Sequence, residues 1–493
     1  MKTSELIKEI ETVAVEGSPE HKVSGLACDS RRVRPGYVFV AVKGRNYDGT
    51  LFINDAVKRG AVGVVFDSEL SVNGGREKSN VCYVRVKDAR TAFGKLACAF
   101  NDKPSQNLQL IGITGTNGKT TTSYMVRDIL KADGRNPGLI GTVEYEIGSR
   151  VIPANRTTPE ASELQAMLAQ MVKGGCKSAV MEVSSHALIQ KRTVGVDFDV
   201  GVFTNLTRDH LDYHGTFEQY FEAKTLLFKT LGKQEKRATA VINTDDPWGQ
   251  RLLAMNGIDA EILTCGMNSE AMIRSEDIKL GSGGSSYRAI TPWGNVDINL
   301  NLLGRFNISN SLAAIASCGA LGVDLKTINN ACSGIVSVSG RLEEIKGVKD
   351  FQVFVDYAHT DDALEHVLET LREITEARLI VVFGCGGDRD KSKRSAMGQV
   401  ASRLADYSIV TSDNPRKENS SEIIEQICHG FNERKNFEII EDRKEAINTA
   451  LTMAGKGDVV LIAGKGHENF QEFGDRTIPF DDRQIVREII NDN

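Results

Sequence analysis

No apolar run in the 493-residue sequence approaches the roughly eighteen residues of a membrane-spanning helix. Residues 1–18 form an acidic, amphipathic start without the apolar stretch of a signal peptide. Positive charge is not in excess either: 60 Lys plus Arg stand against 66 Asp plus Glu, a net charge of −6. A chain built to grip a nucleic-acid backbone is therefore not expected. The nine cysteines are scattered singly with no CxxC pair, which argues against a zinc knuckle or a dithiol couple. Isolated examples in apolar strings, such as Cys318 and Cys332, read as small core residues and fit a reducing compartment. Internal repeats, low-complexity tracts and long charge runs are missing as well. These absences leave a soluble, cytoplasmic protein with no membrane span and no nucleic-acid partner as the expectation.

What is present is ordinary globular material, 41% hydrophobic and 26% charged, long enough for three domains at about 150 residues each. Before residue 105, short β-type runs such as Tyr37–Ala41 and Gly63–Phe66 are punctuated by Pro-Gly, Asp-Gly and Gly-Gly turns. Two stronger apolar runs lead straight into glycine-rich turns. Leu108–Thr114 precedes Gly115-Thr-Asn-Gly-Lys-Thr-Thr121 and a helical pattern over 123–132; Leu379–Phe383 precedes Gly384-Cys-Gly-Gly and a helical stretch after Lys393. Strand, turn and helix alternate through 108–240 and 350–490, which predicts parallel sheets flanked by helices, with ligands at the carboxyl ends of the strands. The expected fold is α/β in three domains: an N-terminal domain over 1–104, a central P-loop ATPase-type parallel sheet over 105–336, and a C-terminal Rossmann-like domain over 337–493.

The turn Gly115, Thr116, Asn117, Gly118, Lys119, Thr120, Thr121 has the makings of a phosphate cradle. Glycines let backbone N–H groups approach phosphate oxygens, and a helix N-terminus adds its dipole. Lys119 would pair with the β/γ-phosphates and the Thr120 hydroxyl would ligate Mg²⁺. The strict GxxxxGK[ST] pattern fails at Ile113, which stands where its first glycine belongs. Glu182, ending the apolar run Ser178–Met181, is placed to offer oxygen to Mg²⁺; taken alone, a solvated turn residue is an equal reading. His210 and His214 are spaced i, i+4, a geometry that can bind metal from one helix face. On residue type alone Lys224 is one more helix lysine pointing at water.

The set Thr114–Thr121, Glu182-Val-Ser-Ser-His186, Thr204–His214, Glu222-Ala-Lys224, Asn243-Thr-Asp-Asp, Gly304–Asn310, Gly340-Arg341, Asp356-Tyr-Ala-His359 and Gly464–Glu468 resembles the Mur ligase family across all three domains. That family also includes folylpolyglutamate synthases. The resemblance implies the third amino-acid addition of peptidoglycan precursor synthesis. ATP would activate a carboxylate as an acyl phosphate, and an amine would attack it, joining meso-2,6-diaminopimelate to UDP-MurNAc-L-Ala-D-Glu with Mg²⁺ as cofactor. By the same resemblance Lys119, Glu182, His210 and Lys224 are catalytic. Glu182, His210 and a carbamate on Lys224 would join Thr120 on the metal. Asn307, Arg341 and Asp356 would hold the adenosine part of ATP, and Lys391 is a candidate γ-phosphate contact. One departure is Asp361, where proline is usual after Thr360.

Residues Cys28, Ser30, Arg45, Asn46 and Tyr47 resemble the family's uridine-diphosphate segments. Thr157, Thr158, Ser184, Gln190 and Arg192 match positions that hold the muramoyl dipeptide, while Arg156 departs from the usual asparagine. The most discriminating motif is Asp413-Asn414-Pro415-Arg416. Diaminopimelate differs from lysine by one carboxylate, and an arginine fork is its natural bidentate partner. Arg389 offers a second cation, and Glu468 and the Gly464 carbonyl could accept from the distal ammonium. The rival readings are the same reaction with L-lysine, a folylpolyglutamate synthase, and a nucleotide-driven switch without ligase activity. A monomer is expected.

Overall fold

The structure is a computed structural model, describing residues 1–44, 47–68, 80–233, 235–335, 337–348, 350–431 and 436–492. The order of each sheet follows from where its apolar runs bury both faces. Gln109–Thr114 is buried from Leu110 onward and lies in the middle of an eleven-stranded sheet, parallel to Ser178–Glu182 on one side and Val200–Phe203 on the other. Ile111 and Ile113 join one core and Leu110 the opposite one, the alternation of a strand covered on both faces. The parallel block extends through Thr239–Asn243, Glu261–Gly266 and Ile273–Gly281 at one end and Pro137–Ile140 at the other. Beyond it run antiparallel wings, which the strand–turn–helix alternation does not predict. Gly284–Thr291 and Gly294–Leu300 extend one edge, Glu144–Ile147 and Arg150–Pro153 the other. Alternating polar and apolar residues between tight Gly turns make them half-exposed hairpins.

Ahead of this sheet, Thr12–Glu16, Cys82–Val86, Gly63–Phe66, Tyr37–Ala41 and Gly25–Ala27 form a five-stranded sheet, parallel except for Thr12–Glu16 at its edge. After it, a six-stranded sheet carries Gln352–Asp356, Val459–Ala463, Leu379–Phe383, Tyr407–Val410 and Phe437–Ile439 in parallel, with Glu343–Glu344 antiparallel at the edge. A separate hairpin, Phe470–Phe473 with Arg476–Pro479, follows. The α/β architecture with a central parallel sheet is as expected. All nine cysteines are free, Cys318 and Cys332 fully buried. Among the described residues no helix is long and apolar enough to cross a membrane.

Two details correct the sequence reading. The helix after the phosphate-type turn is Lys119–Ala132, four residues earlier than predicted, because Gly118 at φ 85° turns the chain directly into it. Ile113 is a strand residue packed in the core and paired with Glu182 and Val202, so that position needs no glycine. The close approach falls to Gly115 instead, where a Cβ would lie 1.9 Å from Thr204 Oγ1.

Candidate active site

At the carboxyl ends of the central strands, the turn 115–121 lines a cavity of about 190 Å³ together with Glu182, Asp209, His210, Lys224, Arg341, Tyr357 and His359. Glu182 is fully buried at the end of its strand. Its Oε2 accepts from Thr120 Oγ1 at 3.1 Å and Thr142 Oγ1 at 2.9 Å, and its Oε1 accepts from the Thr142 backbone N–H at 2.8 Å. No cationic side chain among the described residues forms an ion pair with it. A buried carboxylate beside a hydroxyl, without a paired cation, is a donor set that suits a hard divalent ion. Thr142 was missed in the sequence; the signal was its place just past the buried strand Pro137–Ile140.

Lys119 donates to the Gly115 and Thr116 carbonyls at 3.0 and 2.8 Å, and burial lowers its pKa. Lys224 does not point at water. Its Nζ is fully buried, donates to the Gly115 carbonyl at 2.7 Å and stands 4.3 Å over the Tyr220 ring. Burial pushes its pKa well down, and the neighbouring Lys119 charge pushes the same way.

His210 adopts a left-handed backbone (φ 54°) just before the short helix Leu211–His214, so the two histidines do not share a helix face. His210 lines the cavity beside Asp209, with Nε2 3.2 Å from Oδ2. His214 is buried and hydrogen-bonded to Ser185 Oγ at 2.9 Å. Desolvation lowers the His210 pKa against the pull of Asp209. Asp209, unassigned by sequence, is held down to about 2: burial opposes ionisation, but His210, His359, Lys393 and Lys119 outweigh it. Among the described residues no three His, Cys, Asp or Glu side chains form a metal-binding group.

The C-terminal domain completes the cavity. Arg341 Nη2 donates to Thr120 Oγ1 at 3.1 Å while its guanidinium lies 4.6 Å over the Tyr357 ring. Asp356 is buried and accepts the Leu342 and Ala358 N–H groups at 2.6 Å each, fixing the turn that carries Arg341. Asn117 Nδ2 donates to Asp362 Oδ2 at 2.8 Å, a second link. Helix Asp361–Ile374 begins at the departure noted above. Asp361 occupies the first helical position, where an acid suits the dipole as well as proline suits the φ angle. Lys391 is not brought to the cavity; it is exposed and paired with Glu418 at 3.1 Å. The basic group that reaches the cavity wall is Lys393, buried at the start of helix Lys393–Leu404, with Nζ donating to the His359 carbonyl at 2.7 Å. Asn307 lies behind the turn, buried on helix Arg305–Ala320 and hydrogen-bonded to Leu303 O and Asn310.

Of the substrate candidates, Thr157 and Ser184 line the same cavity, and Thr157 Oγ1 is 3.1 Å from Thr142 Oγ1. Thr158 is buried, donating to the Glu182 carbonyl at 2.8 Å and accepting from the Ser184 N–H at 3.1 Å. Arg192 Nη1 donates to Thr158 O at 2.9 Å and its Nε to Gln190 at 3.1 Å. Arg156 pairs with Glu160 at 2.6 Å. A second cavity, about 540 Å³, is lined by Cys28, Arg31, Arg32, Arg34, Tyr37 and Glu160. Burial pushes the Cys28 thiol up to about 11, which disfavours the thiolate form. Ser30 is buried beside this cavity, whereas Tyr47 is 72% exposed, edge-on to Phe52. Arg45 and Asn46 lie outside the described residues.

The Asp413–Arg416 turn faces the Gly464–Glu468 loop. Asn414 Nδ2 donates to Glu468 Oε2 at 2.8 Å, and the fully buried Lys465 donates to Asn414 Oδ1 at 3.2 Å and Glu468 Oε2 at 3.0 Å. Burial raises the Glu468 pKa, opposed by Lys465. Arg416 Nε donates to Glu472 Oε2 at 3.0 Å and Nη1 to Gly387 O at 2.8 Å. Pro415 O lies against Gly387, where a Cβ would be 1.9 Å away, and Asp413 Oδ2 lies against Gly464. Arg389 is exposed nearby.

The chain matches the Mur ligase family, catalytic domain, over residues 22–101, the Mur ligase middle domain over 113–318, and the Mur ligase glutamate ligase domain over 340–466. It belongs to the Mur ligase family. A UDP-N-acetylmuramoyl-L-alanyl-D-glutamate–2,6-diaminopimelate ligase of Caldanaerobacter subterraneus subsp. tengcongensis is 44% identical over 97% of this chain and 96% of its own. One of Geobacillus kaustophilus is 46% identical over 97% and 96%. A solved structure of an enzyme of that name superposes with TM-score 0.71 at 34% identity, covering 100% of this chain and 99% of the other.

Proposed function

We propose that this chain is an ATP-dependent amide ligase that adds meso-2,6-diaminopimelate to UDP-MurNAc-L-Ala-D-Glu in peptidoglycan precursor synthesis. The observation that carries the reading is the single cavity in which the phosphate-type turn, the unpaired Glu182 carboxylate and Arg341 from the C-terminal sheet converge. The relatives above bear this reaction in their names. With domains over 1–104, 105–336 and 337–493, the first would bind uridine diphosphate, the second would carry out phosphoryl transfer and the third would receive the amine.

The substrate carboxylate oxygen attacks the γ-phosphorus of ATP and ADP leaves. The amine nitrogen then attacks the acyl carbon, losing a proton as inorganic phosphate departs. Two anions must meet in the first step, so cations have to be in place before it. Lys119 would neutralise the phosphates, with Lys393 the nearer basic group behind His359 and Lys391 arriving only if its loop moves. Arg341, which the resemblance sets at the adenosine part of ATP, reaches Thr120 and would add its charge on the phosphate side as well. Thr120, Glu182 and His210 would hold Mg²⁺, which supplies charge neutralisation and in-line orientation. Lys224 would add a fourth ligand as its carbamate. Burial disfavours the charged form of this amine and so favours the neutral, nucleophilic form, the one that captures carbon dioxide. Asn307 and Asp356 would shape the adenosine pocket; Cys28, Ser30, Arg45, Asn46 and Tyr47 the uridine diphosphate site; Thr157, Thr158, Ser184, Gln190 and Arg192 the dipeptide site. Arg389, Asp413, Asn414, Pro415, Arg416, Gly464 and Glu468 would receive the amine. The enzyme is proposed to act as a monomer in the cytoplasm, where its nine cysteines stay reduced.

The test is product formation by mass from ATP, Mg²⁺ and the UDP-dipeptide with diaminopimelate, L-lysine or no amine. Tripeptide with diaminopimelate is expected. Product with lysine alone favours the alternative amine, and no product with either removes the reading.

A further inference from the structure

We infer that Arg443, locked by Asp482, is the positioning residue that sets the spacing of the two loops receiving the incoming amine. The inference rests on the functional reading above. Arg443 opens helix Arg443–Met453 and Asp482 opens helix Asp482–Asp492, and both side chains are completely buried. The guanidinium makes a bidentate pair with the carboxylate, Nε to Oδ1 at 2.8 Å and Nη2 to Oδ2 at 2.7 Å. It also donates to two backbone carbonyls, Ala463 at 2.9 Å and Ser412 at 3.4 Å.

Those carbonyls sit at the ends of two strands that do not pair with each other. Tyr407–Val410 and Val459–Ala463 are separated by Leu379–Phe383 in the sheet. Ser412 is the residue before Asp413-Asn414-Pro415-Arg416, and Ala463 the residue before Gly464–Glu468. The ladders through Leu379–Phe383 space the two strands, and Asn414, Lys465 and Glu468 join the loops at their tips. Between ladder and tips, among the described residues, the buried fork alone bonds both backbones where they leave the sheet, and so sets the distance between those two exits. Burial of the fork and its charge partner holds it in a single rotamer. The Arg443 charge is also felt by Asp413 and Glu468, one on each loop. Gln471 adds a smaller tether, Nε2 to Asp413 O at 2.9 Å. None of these groups needs to touch substrate; the effect would pass through Asn414, Arg416 and Glu468.

Removing one charge alone could unfold the domain, since the other would stay buried and unpaired. Two variants separate fold from position. R443K keeps the charge but loses the fork, and R443M/D482L replaces the pair with apolar side chains of similar size. Each is compared with wild type by steady-state kinetics at saturating ATP and UDP-dipeptide, with thermal unfolding as the check on folding. In folded R443M/D482L, KM for diaminopimelate should rise about tenfold or more while KM for ATP stays within about twofold. R443K should move in the same direction by a smaller factor. Folded variants with unchanged amine KM, or with ATP and amine KM raised equally, would overturn the inference. Wild type that makes no tripeptide at all would instead bring down the functional reading, and this inference with it.

Discussion

Lys224 is the residue where chemistry and burial meet most sharply. Its amine has one carbonyl partner, an aromatic ring beneath it and no carboxylate in ion-pair contact among the described residues. Such a lysine is either an expensive charge or a neutral amine waiting to be modified. Lys224→Ala should lower kcat by more than about 100-fold, the scale of losing a metal-site residue. Wild-type activity should fall in buffer stripped of carbon dioxide and return with bicarbonate; indifference to bicarbonate would remove the carbamate. The burial of Lys224 could not be read from its neighbours, since Glu222-Ala-Lys224 looks like any helix surface. Gly115 and Gly118 were legible because close approach and positive φ demand glycine. Lys391 lies away from the cavity, paired with Glu418, for a physical reason: in a basic run, which lysine faces inward depends on where the helix starts. It starts at Lys393.

The Asp413–Arg416 turn is an element held from both sides. Arg394, fully buried, pairs twice with Glu418 at 3.0 Å and reaches Gly386 O at 3.4 Å. Glu418 also accepts the Asp388 N–H at 2.6 Å. Glu418→Ala would strand the Arg394 charge and should cost about 3–5 kcal/mol in urea unfolding. Arg416→Ala acts on recognition instead. It should raise KM for diaminopimelate by about 100-fold while affecting lysine far less, because only diaminopimelate offers the second carboxylate. Equal losses for both amines would leave Arg416 a purely structural tie to Glu472. At this scale the parallel strands were readable from their continuous apolar runs. The wing hairpins over 273–300 were readable in principle, from alternation between Gly-Ser-Gly-Gly and Thr-Pro-Trp-Gly turns. The contacts of the 470–479 hairpin with Arg416 are tertiary and left no local signal.

For the whole molecule, the seam between the central and C-terminal sheets brings together the cavity and buried groups whose titration bears on acid stability. His359 and His467 pack on Tyr357, with ring centroids 4.6 and 5.1 Å away. Desolvation lowers His359 to about 4 and His467 to about 3 from an ordinary 6.5, with neighbouring cations adding to the shift. The unfolded chain therefore binds more protons between those values and 6.5. The contribution of these two histidines is full above pH 6.5 and falls as pH drops toward 4, with a slope of up to about 1.4 kcal/mol per pH unit for each histidine. Glu418 extends the loss further. Its carboxyl is lowered to about 2 by Arg394, so its contribution is present above 4.5 and goes as pH falls through about 2. Urea midpoints between pH 7 and 4 check this, and a flat profile would contradict it. The three-domain α/β plan was legible because each sheet has its own run of strands. The links across the seam, Arg341 to Thr120 and Asn117 to Asp362, join residues more than two hundred positions apart and emerge only from the fold.

The most direct test follows an oxygen atom. UDP-MurNAc-L-Ala-D-Glu carrying heavy oxygen in its terminal carboxylate is turned over with ATP, Mg²⁺ and diaminopimelate, and the released phosphate is weighed. Activation as an acyl phosphate predicts one labelled oxygen in the phosphate for each tripeptide formed. Phosphate free of label, or released regardless of the amine and the UDP-substrate, would contradict a ligase that couples ATP to amide formation.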